Sequence, residues 1–135
     1  MKIQVINNQK VLPIPDEWLR STCENLLQIV RSEGKEPFKE LNVIIVDDTY
    51  MISLNREFLK RNGTTDVIAF PLDDVGEIYV SAEVAAERAP EDPLEELALY
   101  IVHGLLHLLG YDHQRPEEDK IMREKEREHL SRWKR

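Results

Sequence analysis

Three of the four histidines of this 135-residue chain, His103, His107 and His113, fall within one run of eleven residues. His103 and His107 are four apart in a stretch of Leu, Ile and Val. On a helix both imidazoles therefore leave the same face, about one turn apart. His113 comes after Gly110, a residue suited to turning the chain back toward them. A lone histidine on an apolar helix is usually a satisfied core residue. Two at ligand spacing, with a third past the turn, fit an open three-histidine metal site better, because buried imidazoles need partners. Such a site leaves a fourth position for water, the pattern of catalytic zinc. Imidazole donors suit zinc, although nickel, copper or iron would fit the same ligands. Three neutral ligands leave the ion its full charge. Zinc-bound water is then the main reactive group, acidified to a pKa of about 7, or the ion stabilises charge on a phosphoryl oxygen. Phosphodiester hydrolysis suits either role.

The spacing also echoes H-E-x-x-H, the zincin signature, whose glutamate is the general base of a metalloprotease. Gly104 stands in that glutamate's place. The metal cradle is kept and the proteolytic base is absent. Glycine in a helix interior costs roughly 1 kcal/mol relative to alanine. Gly104 therefore marks a close approach, either of a substrate or another backbone or of a tightly packed helix.

Residues 103–113, His-Gly-Leu-Leu-His-Leu-Leu-Gly-Tyr-Asp-His, resemble the signature of the YbeY family of bacterial metal-dependent endoribonucleases, H-G-x-L-H-L-x-G-Y-D-H, at every fixed position. Leu54-Asn55 with residues 65–71, Thr-Asp-Val-Ile-Ala-Phe-Pro, is similar to the family's L-N…T-[DN]-V-L-S-F-P. Residues 76–81, Gly-Glu-Ile-Tyr-Val-Ser, are like its G-D-I-x-I-S. The resemblance spans most of the chain. It implies a single-strand-specific endoribonuclease, acting in ribosomal RNA maturation (the 3′ end of 16S) and ribosome quality control. The partners it implies are single-stranded and ribosomal RNA and the small ribosomal subunit, with no DNA.

Beyond the ligands, Asp112 is the candidate to orient an imidazole or relay a proton; a turn residue bonded to its own backbone is the plainer alternative. Tyr111 reads as packing. Candidate phosphate contacts are Lys60 and Arg61, with Arg56 one turn earlier, although a charged surface turn is the ordinary meaning of such a run. In the family an arginine usually follows the aromatic at the Phe58 position. Here that residue is Leu59, so Lys60 or Arg61 reaches the site instead, or the contribution is missing. The family's serine before Phe-Pro is Ala69.

The elements that must position these residues can be read in order. Asp92, Pro93 and Glu95 supply an N-cap, a first-turn proline and a capping-box glutamate, so the histidine helix starts there and Gly110 ends it. Being apolar nearly all round, it belongs at the centre. Ile3 to Ile6 reads as a short strand, and Asp16 to Gly34 as a helix with Cys23 in its apolar stripe. Residues 41–46 form a strand apolar on both faces, hence central. Asp47 or Asp48 caps a helix carrying Leu54, Asn55 and Phe58. Asp66 to Phe70, stopped by Pro71, pairs as a hairpin with Glu77 to Val80. Ser81 caps a short helix to Arg88, and a charged helix runs from about Pro116 to Trp133, with His129 exposed. The order βαβαββααα predicts an α/β (α+β) fold, a small mixed four-stranded sheet with helices packed on it. The resemblance implies the same, with a zinc-hydrolase-like central histidine helix and one zinc per chain.

One domain, 1–135, accounts for the length. A single cysteine excludes a disulfide framework and fits a reducing compartment. The N-terminus lacks the apolar run of a signal peptide, and no stretch approaches the ~18 apolar residues of a membrane span, so a cytoplasmic location is expected. The formal charge of −8 argues against broad electrostatic capture of nucleic acid. Residues 115–135 carry a local +2, and Ser131-Arg132-Trp133-Lys134-Arg135 reads as a frayed basic tail or an RNA contact. Two rivals stand beside the nuclease: a metal-dependent peptidase, which Gly104 disfavours, and a non-catalytic ribosome-associated module whose metal only secures the fold.

Overall fold

The structure, a computed structural model, describes residues 1–134. Its elements are β1 (Lys2–Asn7), α1 (Asp16–Glu33), β2 (Glu40–Val46), α2 (Asp48–Leu59), β3 (Val67–Leu72), β4 (Val75–Ser81), α3 (Ala82–Arg88), α4 (Pro93–Leu108) and α5 (Pro116–Ser131). The sheet order is β1-β2-β4-β3, with β1, β2 and β4 parallel and β3 antiparallel at the edge. The expected mixed four-stranded sheet is present. Among the described residues, no helix is long and apolar enough to cross a membrane.

Strand alternation divides the apolar residues between two faces. Leu41, Val43 and Ile45 of β2, with Ile78 and Val80 of β4, join α1, α3 and α4 in the main core. Val46 and Ile68 turn the other way, onto Met51 and Leu54 of α2. The histidine helix α4 lies in the main core, with Leu97, Ile101, Val102, Leu105 and Leu106 almost wholly buried. Its termini are built as the sequence predicts. The Asp92 side chain accepts from the Glu95 amide at 3.2 Å. At the far end Gly110 adopts φ +107°, its N–H donates to the His107 carbonyl, and the Tyr111 N–H donates to that of Leu106. This paired closure through a left-handed residue reverses the chain just ahead of His113.

Three expectations need correction. β3 does not stop at Pro71 but continues to Leu72, with Pro71 opposite Gly76; an edge strand can carry a residue without an N–H. His129 is not exposed. Its side chain is 2% accessible and its Nε2 lies 2.7 Å from Glu33 Oε2. The tail is not frayed either: Lys134 is tied through its backbone to Asn25 and Ser21 of α1, Trp133 packs against the main core, and Arg135 lies outside the described residues. Cys23, read as core, is half-buried, and burial raises its thiol pKa.

Glu33 is the hub of this second surprise. Tyr111 Oη donates to its Oε1 at 2.7 Å, and Lys125 Nζ lies 3.2 Å from its Oε2. Burial pushes the carboxyl pKa up, but the bonds from Tyr111, His129 and Lys125 outweigh it and the net shift is downward. Glu33 therefore adds stability above the ordinary glutamate range, lost as pH falls through its lowered folded value. Melting temperature against pH should fall more steeply on the acid side for the wild type than for Glu33→Gln. Parallel curves would refute this.

Candidate active site

A cleft of about 420 Å³ opens beside α4, lined by Thr65, Asp66, Arg88, Tyr100, His103, His113, Arg123 and Glu126 among others. It lies where β4 ends, since the Ser81 amide donates to the Asp66 carbonyl there. The His103 and His113 rings have centroids 5.0 Å apart, tilted by 52°. The closure at Gly110 thus does what its position predicts, returning His113 to His103. His107, one turn along α4, is exposed and does not line the cleft. The ring nitrogens of the three histidines do not all come within 4.8 Å of one another.

Glu126 of α5 supplies what the sequence did not reveal. Its side chain is 4% accessible, and its Oε2 lies 2.6 Å from His103 Nδ1. Facing a carboxylate, Nδ1 is the donor, so in the neutral ring the lone pair sits on Nε2. Arg123 Nη1 holds the other oxygen at 2.6 Å. Carboxylate behind imidazole is the arrangement that fixes a metal-ligating histidine. Imidazole nitrogen is a donor that suits a zinc-type ion, and the cleft as built presents two of the three, His103 and His113.

A different group brings its ligand atoms together within 4.8 Å: Glu33, Glu128 and His129, the one such His/Glu group found among the described residues. Lys125 Nζ, however, lies 3.2 Å from Glu33 Oε2 and 3.4 Å from Glu128 Oε2. An ammonium already supplies the cation there, so we read this group as a structural ion-pair cluster.

Asp112 lies beside the cleft histidine, and its Oδ1 accepts from the His113 amide at 2.7 Å. Lys60, Arg61 and Arg56 are exposed at the C-terminal end of α2, and none lines the cleft. The guanidiniums that do line it are Arg88, 2.8 Å from Asp66 Oδ2, and Arg123. A Cβ at Gly104 would come within 2.8 Å of Ile78 Cγ2 and 3.2 Å of Val67 Cγ2. The close approach marked by this glycine is thus to the sheet, not to a substrate or a helix.

Residues 4–134 match the model of the family Endoribonuclease YbeY. The chain belongs to this family. It is similar to the endoribonuclease YbeY of Carboxydothermus hydrogenoformans, 36% identical over 137 residues, covering 95% of this chain and 94% of that one. It is also similar to that of Pelotomaculum thermopropionicum, 38% identical over 147 residues, covering 98% and 97%. The solution structure of TM1509 from Thermotoga maritima is 34% identical and superposes with a TM-score of 0.68, covering 96% of this chain and 87% of that one. Membership in YbeY makes the protein an enzyme, a hydrolase, and accounts for a cleft that assembles at residues of the matched signature. Glu126, Arg88 and Arg123 lie outside the quoted YbeY motifs. The signal for Glu126 is the stripe Met122, Glu126, His129, whose four- and three-residue steps mark one inward face of α5.

Proposed function

We propose that this protein is a zinc-dependent, single-strand-specific endoribonuclease of ribosomal RNA maturation, with His103, His107 and His113 as the metal ligands. The observation that carries the reading is the His103–Glu126 pair in a cleft shared with His113. It holds one nitrogen and leaves the other for a metal, which is difficult to explain as core packing. When bound, zinc supplies Lewis acidity toward a phosphoryl oxygen or water. Glu126 orients His103, and Asp112 fixes the backbone that carries His113. Arg88 and Arg123 are the guanidiniums placed to meet a phosphate, while Lys60, Arg61 and Arg56 are left to contact RNA outside the cleft. The lining has three carboxylates, Asp66, Glu96 and Glu126, against these two arginines. Attraction of a phosphate into the cleft therefore depends on the dication.

Action on the 3′ end of 16S RNA, in quality control on the small ribosomal subunit and in the cytoplasm, is supported by the resemblance of the motifs. The test uses the purified protein. Elemental mass spectrometry should find near one zinc per chain, and an unstructured RNA oligomer should be cut while casein is not. Chelation should stop cleavage and re-addition restore it. A folded protein that takes up no zinc when it is supplied would overturn the reading.

A further inference from the structure

The outer face of the sheet carries a feature that the cleft does not use. Tyr50 and Phe58 of α2, Phe70 of β3 and Tyr79 of β4 form one continuous ladder of rings. Successive centroids, Tyr50–Tyr79, Tyr79–Phe70 and Phe70–Phe58, are 6.1, 5.8 and 4.9 Å apart, with interplanar angles of 19°, 17° and 23°. Phe70 and Tyr79 pack on the small core, but Tyr50 and Phe58 belong to neither core. These end members are 43% and 47% exposed, and each has only one neighbour in the ladder. Exposing two large rings forfeits burial energy, so their placement calls for an occupant.

The charge beside the ladder indicates which. At the Phe58 end, residues 55–63 contain Arg56, Lys60 and Arg61 against the single carboxylate of Glu57, a local +2 in a chain of −8, while the carboxylates lie toward the other end, where the Tyr79 hydroxyl donates to Glu77 and the Tyr50 amide to Asp47. Among the described residues, none of these three cations has a carboxylate within ion-pair distance, whereas Arg88 and Arg123 in the cleft are both paired. Cations with no carboxylate partner (Lys60 Nζ donates only to the Glu57 carbonyl, at 3.0 Å) beside stacked rings form a surface for a phosphate backbone whose bases are free to stack. A duplex, with its bases already stacked on each other, cannot use it. Arg61 stands four residues before Thr65 on the cleft wall, a span of at most about 14 Å.

We infer that this ladder, with Arg56, Lys60 and Arg61, is a stacking platform that holds the single strand running from the cleft, and so selects unpaired RNA. The inference rests on the nuclease reading above, and its test is separable from it. Metal-free full-length protein is titrated with an unstructured RNA oligonucleotide and with a duplex of the same length, without cleavage. Phe58→Leu and Tyr50→Ala should each weaken single-strand binding about tenfold, the scale of one lost base–ring stack. Phe58→Trp should retain it, and weak duplex binding should not change. Circular dichroism excludes unfolding of the variants.

Wild-type single-strand affinity in both ring-deleting variants would overturn the platform, whatever cleavage shows. So would light scattering that finds a wild-type dimer made monomeric by them, since a second copy would then be the occupant. Absence of cleavage with zinc restored would instead count against the nuclease reading and leave the binding result standing.

Discussion

Gly104→Glu, the change that would complete the peptidase motif, is expected to unfold the protein and to give no peptidase. The position faces the sheet, where even a Cβ would lie 2.8 Å from Ile78 Cγ2. Forcing added atoms into a packed core costs about 1–3 kcal/mol. An uncompensated buried carboxylate adds several more, against a total stability of about 5–15 kcal/mol. Gly104→Ala tests the steric part alone. It gains up to roughly 1 kcal/mol of helix propensity and should still be less stable than wild type in urea. A wild-type urea midpoint for Gly104→Glu would show that α4 is free to move off the sheet, and would reopen the peptidase reading.

The second large effect is at the histidine clamp. His103→Ala should lose bound zinc and RNA cleavage together. Glu126→Ala should keep the fold and lose about 10- to 100-fold in zinc affinity, the usual cost of removing a carboxylate behind a ligating histidine. Glu126→Gln should fall between. Its amide oxygen still accepts from His103 Nδ1, but its NH₂ then faces the Arg123 guanidinium, donor against donor. Competitive titration with a chromogenic chelator gives the three affinities. Equal affinity in wild type and Glu126→Ala would mean that the carboxylate serves packing alone.

The histidine helix was readable almost completely from sequence, because its signals are local: Asp92 and Glu95 at one end, Gly110 at the other, and the four-residue step between His103 and His107. Gly104 could be read as a close contact without the partner being known, since Ile78 and Val67 reach it only through the sheet. Residues whose roles come from tertiary pairing were missed. Glu126 is 23 positions from His103, and Glu33 is 96 from His129. His129 reads as solvated among alternating charges, yet it shares the inward face of α5 with Met122 and Glu126 and pairs with Glu33 of α1. Pro71 reads as a stop because nothing local says that its strand is an edge.

The tie between α4 and α5 bears on the order in which the chain is made. Synthesis runs from the N-terminus, and domains tend to fold as they emerge. The signature histidines all precede α5, which brings Glu126 to His103, and the last described residue, Lys134, is anchored back to Asn25. A nascent chain thus displays its histidines before it has the carboxylate that orients them. The site proposed here is completed only when α5 has joined α4, so of the groups around His103 the carboxylate that sets its proton is the last to arrive.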